Sequence, residues 1–174
     1  MPEKLQQTEF RVEALSKQHD RKGFSCGVEP LDRYLRVQAG QDARRRVAAP
    51  FVLCMGQSNA VLGYSTLSAL SVDIGAWPED VARKLPRYPA VPATLLGRLE
   101  VDARLRGKGM GEHLVMDALR RALEASRDVA SVAVVVDAKN HDAEMFCRRY
   151  EFIPFADQPN RLFLPMGTIE GLFA

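Results

Sequence analysis

Leu99-Glu100-Val101-Asp102-Ala103-Arg104-Leu105-Arg106-Gly107-Lys108-Gly109-Met110-Gly111 is the stretch that decides the fold, because it joins a strand to a helix through a glycine-rich turn. Its glycines let the backbone bend sharply and bring N–H groups close to a ligand without obstruction by Cβ atoms. The helix that follows offers free amides and the positive end of its dipole, which favour a phosphate group. Arg106 and Lys108 add positive charge. The turn therefore predicts a pyrophosphate site.

The spacing of apolar residues on either side of this turn predicts the other elements. Strands are predicted at 10–15, 51–55, 60–70, 94–102, 132–136, 152–155 and 161–164, and helices after Pro30, over 112–126 and over 142–150. Four prolines between residues 73 and 92 predict a loop there, with at most a short helix over 79–84. A strand-turn-helix unit inside a mixture of strands and helices predicts an α/β (α+β) fold.

The composition predicts one soluble domain spanning residues 1–174, because 47% of the residues are hydrophobic and 26% are charged. The formal net charge of +2 gives no overall excess that would indicate nucleic acid or membrane binding. No apolar run is long enough to span a membrane, and the N-terminus lacks the features of a signal peptide. Three widely spaced cysteines argue against a disulfide framework or a zinc cluster, so we expect no metal site and a cytoplasmic location.

The glycine spacing identifies the kind of nucleotide, since neither GxGxxG in the right register nor GxxxxGK[ST] is present. Arg106-x-x-Gly109-x-Gly111 instead resembles the R/Q-x-x-G-x-G/A motif of the GNAT N-acetyltransferases, whose loop amides hold the pyrophosphate of acetyl-CoA. The alternative is a flexible basic turn before an ordinary helix. Asn140-x-x-Ala143-x-x-Phe146-Cys147-x-x-x-Glu151-Phe152 is similar to a second motif of that superfamily, N-x-x-A-x-x-[FLY]-Y-x-x-x-G-F.

The GNAT resemblance implies a central mixed, mostly antiparallel sheet with a V-shaped splay, flanked by helices. In this fold the splay accommodates the pantetheine arm, and the backbone of Leu99 and Val101 is expected to line it. The acetyl-CoA site that the resemblance implies comprises Leu99, Val101, Arg106, Gly107, Lys108, Gly109, Met110, Gly111, Asn140 and Phe146.

A closer resemblance extends over most of the chain, from about Phe10 to Ile169. The segments that carry it begin at Phe24, Gly63, Pro86, Leu96 and Arg161, and read FSCGVEPLDRYL, GYSTLS, PRYP, LGRL and RLFLPM. They look like the GNAT toxins of bacterial type II toxin-antitoxin pairs. That resemblance implies acetylation of the α-amino group of aminoacyl-tRNA, a homodimer, and neutralisation by a ribbon-helix-helix antitoxin, with operator DNA contacted only through the antitoxin.

Elementary acid-base chemistry is compatible with such a substrate. An α-amino group titrates near ~7.7–8.0 and a lysine near ~10.4, so the former needs little help from a general base at neutral pH. Glu100 is a candidate base, although a strand carboxylate beside Arg98 is at least as well explained by a structural role. His113 and His141 are best explained as solvated or helix-terminal residues, and His19 falls in a polar loop.

Clustered arginines are the candidate contacts to tRNA phosphates. The densest group is Arg44, Arg45 and Arg46, with Arg33 and Arg36 on the preceding helix. A second group comprises Arg83, Lys84 and Arg87. The alternative for both groups is a solvated surface.

Position 147 departs from the family pattern. The toxins carry a tyrosine there, thought to protonate the departing CoA thiolate, whereas this chain has Cys147, which we take as the candidate catalytic residue. A thiol is shorter and a weaker hydrogen-bond donor than a phenol, and a buried cysteine without a chemical role is the alternative. Tyr150 is out of register, and Glu151 replaces the usual glycine. The remaining functional alternatives are a GNAT acting on a small amine or protein N-terminus, and an impaired toxin acting as a binding module with its antitoxin.

Overall fold

The computed structural model describes residues 9–174. The strands are β1 (Phe10–Ala14), β2 (Ala49–Met55), β3 (Gly63–Asp73), β4 (Ala90–Val101), β5 (Ala133–Asp137), β6 (Ile153–Pro154) and β7 (Arg161–Pro165). The α-helices are α1 (Glu29–Arg33), α2 (Ala39–Arg45), α3 (Glu79–Ala82), α4 (Met110–Ala125), α5 (His141–Arg149) and α6 (Met166–Leu172). None of the helices in this range is both long enough and apolar enough to cross a bilayer.

The strands form a mixed sheet in the order β1-β2-β3-β4-β5-β7-β6. β1 with β2, β5 with β7, and β6 with β7 pair antiparallel, whereas β4 and β5 pair parallel. The β4–β5 register runs from Thr94 opposite Val134 to Leu96 opposite Val136, and β4 continues beyond it to Val101. This arrangement confirms the predicted mostly antiparallel sheet flanked by helices.

The chain folds as two compact units. One comprises residues up to Thr66 together with Arg98–Val115, and the other comprises Leu67–Gly97 and Met116–Ala174. The prediction of a single domain over residues 1–174 stays a prediction.

The core of the first unit is built around Tyr64 of β3. Its ring centroid lies 5.6 Å from that of Phe24 and 6.2 Å from that of Tyr34, and its hydroxyl donates to the Leu31 carbonyl at 2.7 Å. Aromatic pairs of this kind contribute about 0.5–1.5 kcal/mol beyond the area they bury. They fix α1 against the sheet, and α1 carries the predicted contact Arg33 on its exposed side.

The core of the second unit is an aromatic triad. The rings of Trp77, Phe155 and Phe163 lie with their centroids 4.9 Å apart in each pair. All three side chains are buried, and Phe163 belongs to β7. The triad anchors the segment that leads into α3 against the sheet of this unit.

The predicted helix after Pro30 is present but contains a π-helical turn over Tyr34–Gln38. The amide of Ala39 donates to the carbonyl of Tyr34, five residues earlier. Leu35 and Ala39 are fully buried, as the helical spacing predicts. Both side chains stay in the core as the chain passes from α1 to α2 through this turn.

Two other predictions about the elements were wrong or incomplete. Residues 90–92 belong to β4 rather than to a loop, because Pro92 lacks an N–H but its carbonyl still accepts from the Val132 amide at 2.9 Å. Helix α6 was not predicted, since Gly167 and Gly171 weaken its helical pattern. Packing holds it in place, as Ile169 is fully buried.

Candidate functional site

The predicted pyrophosphate turn connects β4 to α4 in the first unit. Gly107 and Gly109 have φ angles of 74° and 80°, in the left-handed region that L side chains rarely adopt. A Cβ atom built on either glycine would meet nothing within 4 Å, so space is open beside the backbone. Helix α4 begins at Met110, and its first amides lack partners within the helix. This geometry suits a phosphate group, and the assignment of the turn to pyrophosphate stays a prediction.

Asp102 is the buried residue that links β4 to this turn. Its side chain is about 1% exposed and caps a short 3₁₀ turn, Ala103–Leu105, by accepting from the Arg104 amide. The Arg104 guanidinium donates to both carboxylate oxygens at 2.9 and 3.0 Å. The bond from the Arg104 side chain, aided by the amides of Arg104 and Ser25, lowers the pKa of Asp102 to about 2 against the cost of burial. Asp102 was not predicted as a site residue, although the position of an aspartate between a strand and a glycine-rich turn is a signal that could have indicated it.

The other turn residues differ in their surroundings. The Arg106 guanidinium donates to the backbone carbonyl of Cys26, so part of its donor capacity serves the protein backbone. Lys108 is exposed, and Gly111 lies in the first turn of α4. Leu99 and Val101 are half-buried near the end of β4.

Helix α5 of the second unit carries the predicted residues of the second motif. The Asn140 side chain accepts from the Ala143 amide at 2.8 Å and thereby caps the helix, which is a structural role beside the predicted one. Phe146 is half-buried, with its ring centroid 5.1 Å from that of Tyr150. Burial raises the pKa of the Cys147 thiol to about 11, so it is protonated at neutral pH. Cys147 therefore holds a proton at neutral pH rather than being the thiolate that a nucleophile requires.

Glu151 lies at the C-terminal end of α5, in the hydrogen-bonded turn that closes this helix. The amide of Glu151 donates to the Arg148 carbonyl, and the amide of Phe152 donates to the Cys147 carbonyl. These two bonds form a Schellman motif, whose left-handed position is normally a glycine. Glu151 occupies that position with φ of 68°. The departure from the family motif therefore places a side chain where the backbone favours glycine.

The arginines and the lysine predicted to contact tRNA are exposed. They comprise Arg33, Arg36, Arg44, Arg45 and Arg46 in the first unit, and Arg83, Lys84 and Arg87 in the second. A cavity of about 390 Å³ brings Arg36 together with Arg21 and Lys22, which the sequence analysis did not single out. His19 and Asp20 complete its lining. Glu29 offsets part of this charge by accepting from Arg36 at 3.1 Å.

His19 is buried rather than solvated. The Ser16 amide donates to Nδ1 at 2.9 Å, so Nδ1 holds a lone pair, the ring proton is on Nε2, and Nε2 donates to Glu13 at 2.7 Å. That bond is the main cause of the lowered pKa of Glu13. Ligand atoms of Glu13, His19 and Cys54 lie within 4.8 Å of one another. A cation on Nε2 would displace the proton toward Nδ1, where the Ser16 amide already donates, so these bonds support a structural role.

The other candidate acid-base residues are placed as follows. Glu100 is half-buried on β4. Burial, the larger cause, and the nearby charge of Glu100 both raise the pKa of Tyr64. Arg98 stacks over the ring of Tyr34, with Cζ 3.5 Å from the centroid. His113 and His141 are exposed, and His141 begins α5, as expected.

Two curated relatives cover most of the chain, whereas no protein-family model matches it. The "tRNA-acetylating toxin" of Mycobacterium tuberculosis is 33% identical over 158 residues, which are 91% of this chain and 93% of the relative. The "Probable toxin TacT" of Sinorhizobium fredii is 28% identical over 161 residues, covering 88% and 89% of the two chains.

Solved structures of similar proteins share the fold. KacT, crystallised as a tyrosine-to-phenylalanine mutant, and AtaT complexed with acetyl-methionyl-tRNAfMet both superpose with a TM-score of 0.88 at 32% identity. The matches cover 94% and 95% of this chain, and 99% and 100% of the KacT and AtaT chains. A third structure, AtaTR bound with AcCoA, has a TM-score of 0.83 at 32% identity and covers 95% of this chain and 98% of its own. Agreement in sequence and fold over nearly the whole length shows that this chain belongs to the tRNA-acetylating GNAT toxins of bacterial toxin-antitoxin pairs.

Proposed function

We propose that this chain transfers the acetyl group of acetyl-CoA to the α-amino group of an aminoacyl-tRNA and thereby blocks translation. The observation that carries the proposal is the strand-turn-helix unit at Gly107 and Gly109, whose left-handed backbone and open space precede the N-terminus of α4. The AtaT complexes with acetyl-methionyl-tRNAfMet and with AcCoA support the same substrates for this chain. We propose that it acts in the cytoplasm, the compartment that holds charged tRNA.

The turn fits the pyrophosphate of the acetyl donor because a ligand can approach its backbone without meeting side chains. Gly109, Met110 and Gly111 would present amides, while Lys108 would supply positive charge. Asn140 and Phe146 of α5 are the further proposed contacts.

The reaction requires a neutral amine. Its nitrogen forms a bond with the thioester carbonyl carbon, the carbon–sulfur bond breaks, one proton leaves the nitrogen, and one proton reaches the departing sulfur. Because the α-amino group titrates near ~7.7–8.0, a large fraction is neutral at cellular pH. Cys147, protonated at that pH, is the proposed donor to the sulfur.

The solved complexes of similar toxins also indicate which partners this chain would have. AtaT has been solved with the C-terminus of the antitoxin AtaR, and the KacTA and AtaT–AtaR complexes have been solved with DNA. We therefore propose that an antitoxin neutralises this chain and mediates its contact with operator DNA. A ribbon-helix-helix fold for that antitoxin and a homodimeric state for the toxin are further parts of the proposal.

A catalytically impaired homologue, acting with its antitoxin as a binding module, is the second candidate. The observation that favours it is Cys147, whose thiol replaces the longer phenol expected at this position.

The decisive experiment incubates charged tRNA pools with the protein and isotopically labelled acetyl-CoA, followed by mass spectrometry of the aminoacyl esters. We expect the label on the α-amino group of at least one aminoacyl-tRNA, and none with a folded Gly111→Glu variant. Label found only on small amines or protein N-termini would contradict the proposal. Absence of label from every acceptor, with acetyl-CoA and antitoxin binding retained, would favour the second candidate.

A further inference from the structure

Two consecutive residues far from the turn in sequence are fastened to it. We call Ser25 and Cys26 the tether. The Ser25 amide donates to Asp102 Oδ2 at 3.3 Å, and the Ser25 carbonyl accepts from the Ala103 amide at 2.9 Å. The Cys26 carbonyl accepts from the Arg106 guanidinium. The turn is thus held on one side by backbone groups of the tether.

The tether is fastened on its other side to α1. Asp32, a buried residue of α1, accepts from the Cys26 amide at 2.8 Å and from the Ser25 hydroxyl at 3.3 Å. Gly27, the next residue, has φ of 87°, and a Cβ atom there would lie 3.2 Å from the Arg106 guanidinium. The chain therefore passes closely beneath Arg106 at a position that requires glycine.

From this chain of contacts we infer that Asp102 and Asp32 are positioning residues for acetyl-CoA binding, acting through the tether on residues 106–111. The inference rests on the proposed function, because it takes that turn as the pyrophosphate site. Amides bind a phosphate well only when they already point to it, since ordering a loop on binding costs affinity. The two carboxylates supply that order, because Asp102 joins the tether to Arg104 of the turn and Asp32 joins the tether to α1.

Replacing Asp102 with asparagine removes the negative charge but keeps the size and shape of the side chain. Its amide oxygen can still cap the 3₁₀ turn, but its NH₂ group would face the donors of Ser25 or Arg104 instead of accepting from them. Loss of hydrogen bonds to a charged group and the opposition of two donors weaken the attachment of the turn to the tether, which then depends on the bonds from Ala103 and Arg106. Asparagine at position 32 can still accept from Cys26, and its NH₂ group can donate to the Ser25 hydroxyl, so this variant removes the charge of the acceptor while keeping both contacts.

The test measures acetyl-CoA affinity by calorimetry, and KM and kcat for acetyl-CoA with charged tRNA, in Asp102→Asn, Asp32→Asn and the double variant. Asp117→Asn is the matched control, since Asp117 accepts from Arg121 at 2.8 Å on α4 outside the tether. We expect Asp102→Asn to raise Kd and KM for acetyl-CoA by about tenfold or more, the scale of one lost hydrogen bond to a charge. kcat should stay within about twofold, and the control should bind as the parent does. The double variant should lose less affinity than the product of the two single effects, because both carboxylates act on the turn through the same tether.

The alternative results separate the inference from its premise. Unchanged Kd in a folded Asp102→Asn variant, or a lower melting temperature and fewer binding sites with unchanged Kd, would assign the aspartate to stability alone and overturn the inference. Acetyl-CoA binding that survives Gly111→Glu would overturn the assignment of the turn and, with it, the inference. A parent enzyme that binds acetyl-CoA but does not acetylate tRNA would contradict the proposed function, while the affinity comparison would still decide the role of Asp102.

Discussion

The amide nitrogen of Phe152 lies 3.3 Å from the carbonyl oxygen of Cys147, and this bond closes α5 with Glu151 in the left-handed region. For residues other than glycine that conformation costs roughly 1–2 kcal/mol. Replacing Glu151 with glycine removes this cost, but the greater conformational entropy of glycine lowers the free energy of the unfolded chain by about 0.4–1 kcal/mol. We therefore expect Glu151→Gly to raise the free energy of unfolding by about 0.5–1 kcal/mol, measured by urea denaturation.

Glu151→Ala is the control for this prediction, because alanine keeps the Cβ atom at the same backbone angle. It should gain little or no stability. A glycine variant no more stable than the alanine variant would mean that the left-handed angle is not strained here.

Binding of acetyl-CoA should depend on the space beside the turn. Glutamate at position 111 would block the amides of α4 and place a negative charge beside a pyrophosphate. We expect Gly111→Glu to abolish measurable calorimetric binding in a protein that remains folded by circular dichroism. Gly75→Glu makes the same replacement at an open position away from the turn and should bind normally. Equal affinity in the two variants would refute the cofactor assignment.

Binding of tRNA should depend on the exposed arginines at the end of α2. Each lost phosphate contact reduces the slope of log affinity against log salt by about one unit. Replacing Arg44, Arg45 and Arg46 together with alanine should therefore weaken tRNA binding at low salt and flatten that slope by as many as three units. Arg127→Ala, an exposed arginine after α4, is the control. If filter binding gave parental affinity and slope for the triple variant, the arginines would be only a solvated surface.

The rate of acetyl transfer should depend on position 147. A phenol there extends further than the Cys147 thiol, and general-acid assistance is typically worth ~10²–10⁴-fold. We expect Cys147→Tyr to raise the single-turnover rate of aminoacyl-tRNA acetylation by up to that range, with little change in acetyl-CoA affinity. Melting temperatures must accompany the rates, because an overpacked ring can cost ~1–3 kcal/mol.

Two results would contradict a catalytic role for position 147. A stable tyrosine variant no faster than the parent would show that the enzyme does not use a general acid at position 147. A Cys147→Ala variant as active as the parent would show that the thiol has no catalytic role.

Acid should remove the stabilisation that Asp102 provides. The pKa of its carboxyl falls from the ordinary value near 3.8 to about 2 on folding, so the folded state binds fewer protons than the unfolded state between these values. The stabilisation is complete above about pH 4 and is lost as the pH falls toward 2. Because its partner Arg104 is largely exposed, we expect it to amount to about 1–2 kcal/mol. The difference in unfolding free energy between the parent and Asp102→Asn should shrink over that interval, and a pH-independent difference would contradict this view.

Local patterns predicted most elements because apolar spacing and glycine positions act over a few residues. The predicted helix 112–126 is found as Met110–Ala125, and the predicted strand 132–136 as Ala133–Asp137. Helix α6 escaped prediction because the burial of Ile169, rather than helix propensity, stabilises it. The π-helical turn was not predicted because it depends on which side chains pack into the core, and local spacing does not show this.

The site was predictable where its chemistry lies within one segment, as in the glycines of the turn. It was not predictable where residues distant in sequence meet. Ser25 and Asp102 are 77 positions apart, and only the fold brings the amide of one to the carboxylate of the other. Burial of His19 was missed for a different reason, because it depends on a hydrogen bond to Glu13, six residues earlier on β1, that the polar sequence around it does not reveal.

The π-helical turn over Tyr34–Gln38 determines how α2 would respond to a change in the number of residues before it. Such a turn is equivalent to an α-helix that has acquired one additional residue. Because the wide turn absorbs this additional residue, deleting one residue from it would restore a regular α-helix and leave Ala39 on the buried face. Arg44 and Arg45 would then keep their direction. In a regular α-helix, where each residue advances the helix by about 100°, the same deletion would rotate everything that follows, so the π-helical turn lets the basic surface tolerate a change of chain length that would otherwise redirect it.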